Sequence, residues 1–114
     1  MAETVIPRSL PDVLYHFTLS QNVSSIMHSG LKPSRDRLGN PPAVWMNTDP
    51  VALAGRTLLE VRTAGLDRKK FVVFKDHPDG PFIYSGTVPP GNIQPLHSTM
   101  ELSRLEELSK LVRR

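Results

Sequence analysis

No cysteine occurs in the 114 residues. That absence removes a disulfide framework, a thiolate metal site and a cysteine nucleophile together, and it fits a cytoplasmic location. Long apolar runs are missing as well. Nothing approaches the ~20 consecutive apolar residues that span a bilayer, so no membrane association is expected. The opening Met1-Ala2-Glu3-Thr4 has neither a basic start nor a long apolar stretch, which argues against a secretory signal. Aromatic residues are few and do not alternate with basic ones as in a single-strand stacking groove. Nucleic acid therefore stays open as a substrate but is not indicated as a stable partner. A phosphate-binding glycine loop, zinc-ligand spacing, a nucleophile elbow and a calcium loop are all lacking. His16, His28, His77 and His97 are scattered without ligand spacing, so no metal site is expected. No serine is marked as the activated member of a Ser/His/Asp triad.

What remains is one domain, large enough for a single core. Residues 1–12 read as a tail containing Pro7 and Pro11, and residues 13–114 as the domain. The formal net charge is +3. Basic residues gather at Arg35 and Arg37, at Arg68-Lys69-Lys70 and at Arg113-Arg114, each cluster either a solvated surface or a contact for an anionic ligand.

The most informative stretch is Leu14-Tyr15-His16-Phe17-Thr18, in a strand expected over Val13 to Thr18. Side chains alternate along a strand, so Val13, Tyr15 and Phe17 point one way while Leu14, His16 and Thr18 point the other. The imidazole and hydroxyl then stand roughly 7 Å apart, a spacing that can engage two oxygens of one sugar or phosphate. A lone histidine beside aromatics can equally sit in a core with one satisfied hydrogen bond. Ser20 offers an N-cap to a short helix whose apolar face is Val23, Ile26 and Met27. Gly30 ends that helix as a C-terminal cap and Leu31 folds back onto it.

Beyond it, Lys32 to Pro42 reads as a loop and Ala43 to Asn47 as a second strand. Asp49-Pro50 starts a helix that Gly55 ends. Thr57 to Thr63 is a third strand, although Leu58-Leu59-Glu60 could instead extend the helix. Phe71 to Phe74 is a short buried strand, and Phe82 to Val88 alternates as another. Ile93 to Leu96 is an edge strand that tolerates Pro95. Ser98 and Glu101 form a capping box for a last helix with the apolar stripe Leu102, Leu105, Leu108 and Val112, most simply facing the core.

The order of these segments resembles the opening of ADP-ribosyltransferase-like domains. The resemblance rests on Tyr15-His16-Phe17-Thr18, on Asn22 and Ile26, on Gly30-Leu31, and on the strand Val44-Trp45-Met46-Asn47-Thr48. Such domains begin with a strand bearing His and Thr or Ser, then a short helix of the form "N..sI...GL", a variable loop, and a second strand with an aromatic residue. Phe82 to Ile93, ending in Val88-Pro89-Pro90-Gly91-Asn92-Ile93, is similar to their closing strand and "vPp..I" turn. The resemblance covers roughly residues 13 to 96 and includes DarT-type DNA-modifying toxins and NAD-dependent RNA 2′-phosphotransferases. It implies an α+β fold with a small split β-sheet core and short flanking helices, to which the sequence pattern adds the C-terminal amphipathic helix.

It also implies NAD as the substrate cofactor, transfer of ADP-ribose to a protein or nucleic-acid acceptor, and a monomer or weak homodimer. His16 would hydrogen-bond the adenosine-side ribose or nearby backbone of NAD, and Thr18 would help hold the nicotinamide end. Trp45 would take the place of the aromatic residue that packs against nicotinamide, and Tyr84 or Ser85 would line the same cleft. A carboxylate near the ribose would stabilise the positive charge that develops there. Transferases of this class usually carry a glutamate on a late strand, and Phe82 to Val88 has none. The acids considered for that role are Asp79, just before the strand, and Glu101, each with a structural alternative as turn or capping residue. The RNA 2′-phosphotransferases rely on basic residues instead, for which Arg35, Arg56 and Arg62 are the candidates, and a non-catalytic binding or inhibitor module on the same scaffold is the remaining alternative.

Overall fold

A computed structural model describes residues 3–34, 41–50 and 55–96 of the chain. Among the described residues seven strands and one α-helix follow in order: β1 (Thr4–Val5), β2 (Val13–Leu19), α1 (Val23–Ser29), β3 (Val44–Met46), β4 (Arg56–Arg62), β5 (Phe71–Phe74), β6 (Phe82–Tyr84) and β7 (Ile93–Leu96). They build a small α+β protein with two antiparallel sheets. One sheet has the order β1-β5-β6-β3 and the other β2-β4-β7.

The alternation of apolar residues explains why both sheets close on one core. In β2 and β4, Leu14 pairs with Val61 and His16 with Leu59, so these side chains share a face. In the other sheet Val44, Met46, Phe71, Val73, Phe82 and Tyr84 turn inward, and all of them are buried. The two faces meet in one cluster with Leu31, Val88 and Ile93. Each such side chain, when fully buried, contributes roughly 1.5–3 kcal/mol by area. The long register of β2 on β4, from Val13↔Arg62 to Leu19↔Arg56, settles the ambiguity over Leu58-Leu59-Glu60, which are strand.

Several segments differ from the sequence expectation, each for a local reason. The region read as a tail supplies β1, with Thr4 opposite Phe74 and Val5 opposite Val73. Arg68 fastens the following residues by donating to the carbonyls of Pro7 and Arg8. Ser20 does not cap the helix, because it lies inside a 3-10 turn, Ser20–Asn22, that leaves Asn22 at the cap position of α1; its hydroxyl meets Thr57 Oγ1 at 2.9 Å instead. The second strand shortens to β3, while Ala43 and Asn47 make single bridges to Ser34 and Tyr15. The strand expected over Phe82 to Val88 stops at Tyr84. Gly86 lies so close over the Tyr84 ring that a Cβ there would approach Cζ to 2.9 Å. The chain then returns to bridge Val88 with Leu31.

Gly30 closes α1 as expected, its N–H bonded to the Ile26 carbonyl at 2.7 Å and its φ at +92°. Pro95 sits in β7 opposite Leu59, on an edge strand where its missing N–H is tolerated. Of the helix expected from Asp49 to Gly55, residues 51–54 lie outside the described residues. The last helix, with its stripe and Glu101, lies outside them too. Among the described residues no helix is long and apolar enough to cross a membrane.

Candidate functional site

His16 stands at the centre of β2 and is half-buried. Its Nδ1 lies 2.7 Å from the backbone carbonyl of Trp45. A carbonyl only accepts, so Nδ1 carries the proton and donates. In the neutral ring Nε2 is then left as an acceptor, with its direction fixed by the bond on the other side of the ring. Burial pulls the imidazole below its ordinary pKa, and the bond to Trp45 opposes that shift only in part. The neutral form is therefore the favoured one.

A cavity of about 310 Å³ opens beside this ring, where β2, α1 and the start of β3 converge. That is at the small end of the range for ligand pockets and suits a nucleoside-sized group. His16 and Thr18 both line it, as their shared face requires. Asn22, Ser25, Ser29 and Lys32 add amides, hydroxyls and one cation. Asn22 belongs to the segment that carries the resemblance, whereas Ser25 and Ser29 were not singled out by sequence, yet a signal existed. Positions 25 and 29 are spaced four apart and so lie on one face of α1, with Asn22 in the turn just before it. The backbone of Gly30 and Leu31 completes this wall, and a side chain at Gly30 would collide with the Val88 carbonyl at 2.7 Å.

The other residues expected at the site are elsewhere. Trp45 lies between the buried Val44 and Met46, so alternation turns its indole to the outer face, and it gives the pocket's histidine only its carbonyl. The indole lines a separate cleft. Tyr84 is buried in the core, where its ring packs on Phe71 at a centroid distance of 4.4 Å. Ser85 is the member of that pair that reaches a surface, on the Trp45 cleft. Asp79 sits with Asp49, Phe17 and Asn47 in a different depression. Arg56 and Arg62 are exposed at opposite ends of β4, outside the lining of the pocket. Arg35 and Glu101 lie outside the described residues. Among the described residues no group of three or more His, Asp or Glu side chains could hold a metal ion.

The closing turn is anchored rather than catalytic in what it shows. Asn92 Nδ2 donates to the carbonyls of Arg62 and Ala64, at 2.7 and 2.8 Å, tying the Pro89-Pro90-Gly91 turn to the end of β4. Compared with known proteins, the chain matches no protein-family model and no curated sequence.

Proposed function

We propose that the pocket beside His16 binds NAD and that the chain is an ADP-ribosyltransferase-like protein, passing ADP-ribose to a protein or nucleic-acid acceptor. The observation that carries this reading is the meeting of His16 and Thr18 in one polar pocket, with Nδ1 tied to the Trp45 carbonyl. Nε2 can then accept from a ribose hydroxyl while Thr18, Asn22 and Ser25 offer donors and acceptors around the sugar. Lys32 supplies the charge a diphosphate needs at the pocket wall. The fold proposed with it is the ADP-ribosyltransferase-like split sheet with an amphipathic C-terminal helix.

Lys32 also supports a second reading. The described lining carries this cation and no carboxylate. A site so equipped also suits binding without transfer, or the phosphate chemistry of an NAD-dependent RNA 2′-phosphotransferase-like enzyme, neither of which calls for a carboxylate at the ribose.

Isothermal titration with NAD tests the proposal, and nicotinamide release assayed alongside separates the readings. Binding is expected, and His16→Ala should weaken it by about 1–3 kcal/mol through loss of a buried hydrogen bond to the ligand. Release of nicotinamide supports the transferase. Binding without release supports the module, and NAD consumption only with a 2′-phosphorylated RNA supports the phosphotransferase. A folded protein that gives no heat at millimolar NAD removes NAD as ligand, and with it both enzyme readings.

A further inference from the structure

The face of the four-stranded sheet turned away from the core carries a second cavity, of about 390 Å³. Its floor is a cross-strand row, Trp45 opposite Ile83 and Ile83 opposite Val72, running over three strands, or roughly 10 Å. Trp45 is 40% exposed, unusual for the largest apolar side chain in a chain of this size. Phe74 packs against it with ring centroids 6.0 Å apart. Pro41 and Pro42 form a wall with no N–H to satisfy. Lys69 and Lys70 stand at the end where β5 begins, and no carboxylate belongs to the described lining.

We propose that this cleft is a docking site for a peptide segment of a partner protein, one that presents apolar side chains to Trp45, Ile83 and Val72 and acidic side chains to Lys69 and Lys70. Charge complementarity fixes the acidic end, since two ammonium groups border an otherwise apolar floor. The floor itself favours peptide over nucleic acid. Successive bases need rings presented in series, whereas here a single indole is open and the Phe74 ring is tilted 47° against it beside two aliphatic side chains. Among the described residues Ala43 alone lines both this cleft and the His16 pocket, so the inference stands whether or not NAD binds.

The test is selection of a phage-displayed random peptide library on the full chain, followed by titration of the synthesised winners against the intrinsic fluorescence of Trp45, the sole tryptophan. The winners should combine apolar residues with Asp or Glu and perturb Trp45 emission. Reversing the two exposed lysines, K69E with K70E, should weaken them about tenfold, and added salt should weaken them further. W45A should abolish binding measured by anisotropy of the labelled peptide. If W45A does not fold, the lysine pair decides alone. The proposal is overturned if no acidic-apolar family is enriched, or if its members bind K69E/K70E as well as the native chain. It is equally overturned if a labelled oligothymidylate occupies the cleft with that lysine dependence, or if self-association at working concentration covers Trp45.

Discussion

The His16 pocket and the Trp45 cleft lie on opposite sides of β3, and Trp45 serves both. It gives its carbonyl to the polar pocket and its indole to the apolar cleft. The pocket is built of hydroxyls, an amide and an imidazole held by a backbone bond. The cleft is built of side chains that the alternation of the sheet leaves over once the core is filled. The difference shows how a strand of three residues can serve two surfaces: backbone groups act in the plane of the sheet, side chains act normal to it. A residue's type therefore predicts which face it decorates less well than its parity does.

Neighbouring substitutions on β3 break this comparison most sharply. Met46 is fully buried and Trp45 is not. Met46→Ala should cost about 2–5 kcal/mol in urea denaturation, from lost transfer energy plus the cavity left behind. Trp45→Ala, on the open face, should cost roughly 1 kcal/mol or less despite deleting the larger side chain. Equal losses would mean that the indole is sealed by a partner surface or that the parity of β3 is misassigned.

A second contrast concerns two glycines, Gly30 on the pocket wall and Gly91 in the closing turn. Gly30 has φ +92° and ψ 167°, a region open essentially to glycine, and a Cβ there meets the Val88 carbonyl at 2.7 Å. Gly91 has open space within 4 Å of an added Cβ and no left-handed φ. Gly30→Ala should destabilise by about 1–3 kcal/mol and disturb the Leu31–Val88 bridge beside the pocket. Gly91→Ala should stay within about 0.5 kcal/mol of the native protein. Thermal melts of the two variants check this, and an inert Gly30→Ala would show that the wall can shift.

How much of this was legible in the sequence depends on whether the signal was local. The face shared by Leu14, His16 and Thr18 follows from parity alone, and so does the stop at Gly30 from its position after the apolar face of α1. The shortened β6 was not legible, because the close approach of the Gly86 backbone to the Tyr84 ring, which leaves no room for a Cβ, is tertiary, while the alternation of the sequence looks like an uninterrupted strand. Trp45 and Tyr84 were placed with His16 on the strength of resemblance, while alternation turns one outward and packs the other on Phe71. Thr4 and Val5 gave no sign of joining a sheet, since two residues carry no period and the pairing depends on β5, far along the chain. Ser25 and Ser29 were readable as a helix face, but only a cavity makes a polar face a wall.

Binding at the pocket sharpens the comparison further, through the same bond that joins the two surfaces. His16→Asn keeps a side-chain N–H at the Nδ1 position, able to reach the Trp45 carbonyl, but is too short to place an acceptor where Nε2 lies. It should preserve most of the fold and still weaken NAD by about 1 kcal/mol or more, the worth of one ligand hydrogen bond. Calorimetry on a variant whose urea midpoint is unchanged gives the answer. Full NAD affinity in His16→Asn would show that Nε2 faces no ligand.

The smallest effect is the pH dependence of His16, and its sign is fixed. Burial lowers the folded-state pKa from the ordinary 6.5, while the bond to Trp45 survives protonation because Nδ1 still donates. Below 6.5 the unfolded chain therefore takes up a proton that the folded chain resists. Stability contributed by His16 is complete above the ordinary value and is lost as pH falls from there toward the lowered folded-state value. Ligand binding moves in the same direction, since protonation converts Nε2 from acceptor to donor. Every other ionisable group is common to both proteins, so the quantity to measure is the difference in urea midpoint between the native chain and His16→Asn across this window. The native chain should lose stability relative to the variant as the solution is acidified. A difference that does not change with pH would mean that the fold leaves the ring's pKa where the unfolded chain has it, and a change in the opposite sense would mean that the fold favours the charged ring, whose Nε2 cannot accept.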